Sequence, residues 1–394
     1  MLQFFSGSAR IINTRRAVTE CMELALGNDY ANVDLIILHA SIGHSFKEMV
    51  DQARVMSPGA TILAASCCGV VGCEGVSESM KDMALMAIKG KDFAVASTAE
   101  ITGASTYAEV RKMAEQLQAA KEGINMVYTL SSGIDIANDE TIRAIEDVFG
   151  PAVTIFGATS SDNMKGVVNY QAVNDAVYEH GAFLVGFADP SLKVETQATH
   201  GFVAIGEPLI VTRSRGHVIE EFNGKPAWEE YTRRLALPIE ATCGDSIPVG
   251  ALGEKLSAEL ASEYGNSHIL RVVTKREGNH MHYATTIAEG TALWLTVRDE
   301  DLIFREMDRL VADILQRMNG RQAVAVFHAD CLARGRFLFN KIMKEELVSK
   351  MQHPFYRNGA CPPWLGMYGF GEFARLGGVN TYHNYTTALY VLYR

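Results

Sequence analysis

The sequence lacks several things that would place it quickly. It has no long basic cluster: the longest, residues 213–215, reads as a solvated turn, and the net charge is -10 with a pI near 5.6. Neutralising nucleic-acid phosphates needs a clustered basic face, so a nucleic-acid partner is excluded. Long apolar runs are missing as well. Residues 35–38 and 388–392 are strand length, against the ~20 residues that span a bilayer, so membrane insertion is not expected. Met1 to Phe5 has neither a charged start nor a long apolar core, which argues against a targeting segment and for a cytoplasmic protein. The seven cysteines are odd in number and fit a reducing compartment better than a disulfide framework. No Gly-x-Gly-x-x-Gly follows the first strand and no phosphate-loop pattern occurs, so nucleotide cofactors are excluded.

What is present is ordinary globular composition, 48% hydrophobic and 21% charged over 394 residues. That length exceeds one core and predicts two domains, 1–222 and 223–394. The first half alternates helix and strand signals. Helices are expected over residues 14–26, 45–56, 106–123 and from Asn138 to Gly150, with short apolar strands at 34–39, 61–65, 126–130 and 152–156. Thr106-Tyr107-Ala108-Glu109 reads as a capping box. This alternation predicts an α/β fold with a mostly parallel sheet and flanking helices in the first half. From Gly181 onward strands follow one another, and the turn at Glu277-Gly278-Asn279 suggests hairpins. The second half is therefore expected to be mixed or antiparallel α+β, with helices over 301–318 and 340–351. Residues 58–67 and 150–159 echo each other, and 323–333 does so more loosely.

In open α/β sheets ligands collect beyond the carboxyl ends of the strands. Those ends carry His39 and Ser41, Ser66-Cys67-Cys68-Gly69, Ser131-Ser132-Gly133, Thr159-Ser160-Ser161-Asp162, and His328 with Asp330-Cys331 and Arg334. Small residues let a ligand approach backbone N–H groups, and hydroxyls hydrogen-bond adaptably. The tail adds Gly366 to Phe373 and His383-Asn384, with Glu372 costly to bury without a partner such as His383 or Arg334. The ligand-contact candidates are His39, Cys67, Cys68, Gly69, Ser132, Ser161, Asp162, Cys331, Arg334, Glu372, His383 and Asn384. Arg334 suits a carboxylate through its planar fork, while Asp162 or Glu372 could receive an ammonium.

The cysteines open a second reading. Cys67 or Cys331 could serve as a nucleophile with His39, His328 or His383 as base, although a buried cysteine is more often packing. Cys67, Cys68 and Cys73 lack the paired spacing of a structural zinc site, and no metal is expected.

Two loops and a tail carry a resemblance. Ala65-Ser66-Cys67-Cys68-Gly69-Val70-Val71-Gly72, Gly157-Ala158-Thr159-Ser160-Ser161-Asp162-Asn163 and the join Phe222-Asn223-Gly224-Lys225-Pro226-Ala227 resemble the FIST domain (F-box and intracellular signal transduction). Phe327-His328-Ala329-Asp330-Cys331-Leu332-Ala333-Arg334-Gly335, Gly369-Phe370-Gly371-Glu372-Phe373 and His383-Asn384-Tyr385-Thr386 resemble its companion C-terminal domain. Cys68-Gly69, where the family commonly has Thr-Ala-Gly, and two prolines before Trp364 depart from the pattern. The resemblance implies a sensor of small molecules such as amino acids. Some relatives are haem proteins tied to nitric-oxide signalling, so haem at one of His39, His44, His180, His200 or His217 is the alternative to an expected absence of cofactor. No output segment is visible, which implies signalling to a separate protein such as a kinase or chemoreceptor.

Overall fold

The computed structural model describes residues 1–335 and 341–394. Three strand–helix–strand units organise it. The first is Leu35–Ser41, helix Phe46–Met56 and Thr61–Cys67; the second is Met126–Ser131, helix Asn138–Phe149 and Thr154–Thr159. The third is Ala323–Cys331, helix Lys341–Gln352 and Trp364–Gly369. Parallel strands need a crossover, and in each unit the helix supplies it. Leu35 lies opposite Thr61, Met126 opposite Thr154 and Val326 opposite Trp364. The echoing segments 58–67 and 150–159 are thus equivalent second strands, whereas 323–333 holds a first strand.

Each unit sits in its own six-stranded sheet, and antiparallel neighbours complete all three. Here the mostly parallel first half needs correction. Strand Asp82–Lys89 inserts antiparallel between Gln3–Arg10 and Leu35–Ser41, and Ala182–Phe187 pairs antiparallel with both Met126–Ser131 and Phe93–Thr98. The cause of the misreading is burial on both faces. Met83, Leu85 and Ala87 pack under helices Thr14–Leu26 and Phe46–Met56, while Ala84, Met86 and Ile88 face the central core. A strand covered twice loses its alternation and reads like a parallel one.

The central core is shared by the three sheets. Leu35, Ile37 and Leu63 of the first meet Tyr128, Phe156 and Phe183 of the second and Phe327, Leu365 and Tyr390 of the third. Phe156 has ring centroids 5.5, 5.7 and 5.4 Å from Tyr128, Phe327 and Tyr390. Such pairs add about 0.5–1.5 kcal/mol each beyond area burial.

A fourth, antiparallel sheet runs between residues 202 and 298, from Phe202–Arg215 to Ala292–Arg298. Glu277 pairs with His280 across the expected Gly278-Asn279 turn. The C-terminal strands then leave this half of the sequence. Glu372–Leu376 and Val379–His383 extend the sheet of the second unit, with Glu372 opposite Ala158, and Val70–Val71 pairs with Met367–Gly366 of the third unit. The sequence halves therefore interleave in their sheets.

Local signals fared unevenly. Helix Thr14–Leu26 is capped by the Asn13 side chain and stopped by Gly27 at φ +60°. Helix Glu300–Met318 buries Ile303, Met307, Leu310, Ile314 and Met318 as one stripe, as its spacing predicts. The capping box at Thr106 does not form: Thr106 is already helical and its hydroxyl donates to the Thr102 carbonyl, while Glu109 accepts from Thr98. The cap expected at Asn138 falls on Ala137 instead. Of the helix expected over 340–351, residue 340 lies outside the described residues.

Candidate functional site

The second strands of the three units converge at their carboxyl ends. Ser161 N–H donates to the Ser66 carbonyl and the Ser66 hydroxyl donates back to the Ser161 carbonyl at 2.8 Å. The Ser161 hydroxyl donates to the Tyr368 carbonyl at 2.8 Å, which also accepts from Cys68 N–H, and Phe370 N–H donates to the Thr159 carbonyl. Small residues make this possible, because the chains meet backbone to backbone. A Cβ at Gly369 would stand 2.5 Å from the Thr159 carbonyl, and one at Gly69 2.5 Å from that of Ser77.

Beside this junction lies a fully buried polar cluster. Arg334, only 1% exposed, donates through Nε to Asp330 Oδ1 at 3.1 Å and through Nη1 to the His200 carbonyl at 2.7 Å. Its Nη2 has no partner among the described residues. The sequence places Asp330 and Arg334 four apart, and the turn Leu332–Arg334 folds the guanidinium back over the carboxylate. Glu372 accepts from the Thr386 hydroxyl at 2.7 Å through one oxygen, and its Oε1 has no partner. Burial pushes this carboxyl well above its ordinary range, the Thr386 hydroxyl opposes that, and nearby Asp330 reinforces it. Burial thus favours the protonated form of Glu372, which can donate as well as accept.

Two histidines wall the cluster in neutral form. His200 donates from Nε2 to the His268 carbonyl at 2.7 Å and accepts the Phe202 N–H at Nδ1. His383 Nδ1 lies 3.0 Å from the Tyr264 hydroxyl, and the Ala374 carbonyl faces the ring. Burial brings both down to about 3. Beyond Tyr368, Lys344 is paired with Glu78 and stands 5.7 Å from the Tyr368 ring; burial pulls it down to about 8.

The structure brings together Cys67, Cys68, Gly69 and Ser161 at the junction, and Cys331, Arg334, Glu372 and His383 around the cluster. Others are engaged elsewhere. Asp162 turns both oxygens onto the N–H groups of Lys165, Gly166, Val167 and Val168, so it organises its own loop. Ser132 closes the turn to Ile134, and Asn384 bridges Phe370 and Val272. His39 bonds the Tyr128 hydroxyl at 2.9 Å where residues of all three sheets, among them Ala158 and Phe327, leave no room for a water molecule. Neither Asp162 nor Glu372 offers a free carboxylate to an ammonium. Sequence reasoning missed Tyr264 and Lys344, which no local pattern distinguishes, and singled out His200 only as a haem-ligand candidate and Thr386 only within the family motif; the Asp330–Arg334 spacing is a usable signal.

The residues 34–225 match the FIST N domain and 227–375 the FIST C domain. The chain belongs to the FIST family. FIST domains are associated with small-ligand binding in signal transduction. Uncharacterized proteins of Mycobacterium bovis (strain ATCC BAA-935 / AF2122/97) and Mycobacterium tuberculosis (strain CDC 1551 / Oshkosh) are each 22% identical over 272 residues, covering 66% of this chain; the match spans 64% of their own length. Among solved structures, a chorismatase aligns over 100% of this chain and 99% of its own at 10% identity and a TM-score of 0.35. A cyanuric acid hydrolase from A. caulinodans aligns over 51% and 72% at 8% identity and a TM-score of 0.29. Both likenesses are too distant to bear on mechanism.

A haem iron would need a histidine with a free ring nitrogen facing a cavity. His200 uses both nitrogens and His217 Nε2 bonds Asp139 at 2.8 Å, whereas His39 bonds Tyr128 through Nε2 and His44 bonds Thr14 through Nδ1, each with its other ring nitrogen buried and unpartnered among the described residues. His180 is exposed. His200, with both nitrogens engaged, does not fit the group. Among the described residues no three His, Cys, Asp or Glu side chains are grouped to hold a metal ion, and no helix is long and apolar enough to cross a membrane.

Proposed function

We propose that this FIST protein is a sensor that binds an amino acid or other small carboxylate between Arg334 and Glu372, where elements of both sequence halves meet. The observation that carries the reading is the unpartnered Arg334 Nη2 in a fully buried guanidinium. Leaving a buried donor unmade costs about 1–3 kcal/mol, more for a charged group. A ligand carboxylate would take that N–H together with a proton-bearing Glu372, a charge-assisted pair that a neutral ligand does not replace. The site is closed, so entry requires the strand-end loops to part, and that coupling of binding to packing is what a sensor needs. A separate signalling protein, such as a kinase or chemoreceptor, would read the change.

Cysteine catalysis is the weaker reading, because burial pushes the Cys67 and Cys331 thiols well above their ordinary value and leaves no thiolate. The test is a thermal-shift and calorimetric screen of amino acids and small carboxylates at pH 7, with mass spectrometry of any ligand that co-purifies. The expected result is a rise in Tm with a subset of carboxylates, lost in Arg334→Gln. Flat responses throughout, with no co-purified ligand, would overturn the proposal.

A further inference from the structure

Away from the ligand cluster, two cysteines from opposite ends of the sequence meet. Cys73 sits in the turn between Val70–Gly72 and Gly75–Ser77, and Cys361 lies in the stretch leading into Trp364–Gly369. The pairing of Val70 and Val71 with Met367 and Gly366 draws the two segments together. Cys73 Sγ donates to the carbonyl of Pro362, the residue that follows Cys361, at 3.2 Å and lies 3.7 Å from the Ser6 hydroxyl, and the two thiols are close enough for each to shift the other's titration. Both are free thiols and half-buried, unlike the buried Cys21, Cys67, Cys68 and Cys331.

The contact polarises the pair. Cys73 is drawn below the ordinary thiol value, chiefly by the hydrogen bond from Cys361 and against burial, with Ser6 and the Trp364 N–H helping and Glu74 opposing. Cys361 moves the other way because of Cys73 and burial, with the Tyr356 hydroxyl opposing. Loss of one proton from the pair leaves a thiolate beside a sulfur that keeps its own.

We propose that Cys73 and Cys361 form a reversible disulfide on exposure to a hydroperoxide, with Cys73 the attacking thiol and Cys361 the resolving one. The Cys73 thiolate attacks the terminal peroxide oxygen, the O–O bond breaks, and the leaving alkoxide or hydroxide takes a proton. Cys73 becomes a sulfenic acid. The Cys361 sulfur then attacks the Cys73 sulfur, the S–O bond breaks and water leaves. Two thiols have lost two electrons and two protons, and the peroxide has become an alcohol or water plus one further water. A dithiol reductant reverses the bond.

The crosslink would staple the tip of the 70–77 hairpin to the segment feeding Trp364–Gly369. At its base the same hairpin carries the Cys68 N–H that bonds Tyr368, and Glu78, which pairs with Lys344. Oxidation thus stiffens one wall of the junction, but the disulfide itself does not depend on the ligand reading.

The decisive experiment treats reduced full-length protein with hydrogen peroxide, alkylates remaining thiols and maps peptides without reduction. The expected result is a Cys73–Cys361 crosslink that dithiothreitol removes, with the half-buried Cys243 still alkylated. In C361S the crosslink disappears and dimedone traps a sulfenic acid at Cys73; in C73S neither forms. Unchanged alkylation of both cysteines in the treated wild type would overturn the proposal. So would Cys73 sulfinic acid as the end product, or a crosslink from either cysteine to a third. The wild-type map decides without reliance on a variant's folding.

Discussion

Glu372→Gln is the substitution whose consequence can be worked furthest. The folded state holds Glu372 as a neutral acid, raised well above its ordinary 4.5 by complete burial. In the unfolded chain the same carboxyl ionises near its ordinary value. Between those two values the folded state binds more protons than the unfolded state, so stability falls as pH rises. The contribution is fully present below about 4.5 and is lost progressively as pH climbs towards the folded value. Its slope approaches about 1.4 kcal/mol per pH unit wherever the folded state keeps the proton that the unfolded state has lost. Gln is neutral at every pH and nearly isosteric. Its carbonyl can keep the Thr386 hydrogen bond and its amide fills the place of Oε1. Urea unfolding of both proteins at pH 5, 6, 7 and 8 measures the difference. Glu372→Gln should gain on the wild type as pH rises above 5. A stability gap that stays constant with pH would refute the argument, because it would mean that Glu372 is ionised in the fold or titrates alike in both states.

Other outcomes follow from single contacts. Gly157 sits at φ +132°, and a Cβ there would lie 2.0 Å from the Thr129 carbonyl; Gly157→Ala should cost about 3 kcal/mol and lower Tm by several degrees. Asp162→Ala leaves four backbone N–H groups of residues 165–168 without their acceptor. It should open that loop to limited proteolysis, which a cleavage time course reads against the wild type. The Asp139–His217 pair also carries the Thr286 N–H. Its hydrogen bond to Asp139 raises His217 above its ordinary value, so the stabilisation is present below that value and fades as pH rises through the raised one. Exchange of the Thr286 amide should therefore quicken on going from mildly acidic to alkaline pH beyond its intrinsic acceleration, and His217→Gln should remove that excess.

The sequence by itself determined the local elements and the family. Periodic stripes such as Ile303 to Met318 and stops such as Gly27 place helices within a residue or two, because those signals act between neighbours in the chain. The strand-end loops around Cys67, Ser161 and Arg334 were legible for the same reason: small and polar residues directly follow apolar runs. Tertiary structure alone decided strand direction, since a strand such as Asp82–Lys89, covered on both faces, carries no mark of its partner's polarity. It also decided which loop residues share a site. Asp162 reads as a ligand-facing acid until four backbone amides claim it, and Glu372 reads as a carboxylate until burial keeps its proton. Charge state and hydrogen-bond partner are properties of the folded surroundings, which lie near in the chain for Asp162 and far away for Arg334, whose Nη1 donates to the His200 carbonyl.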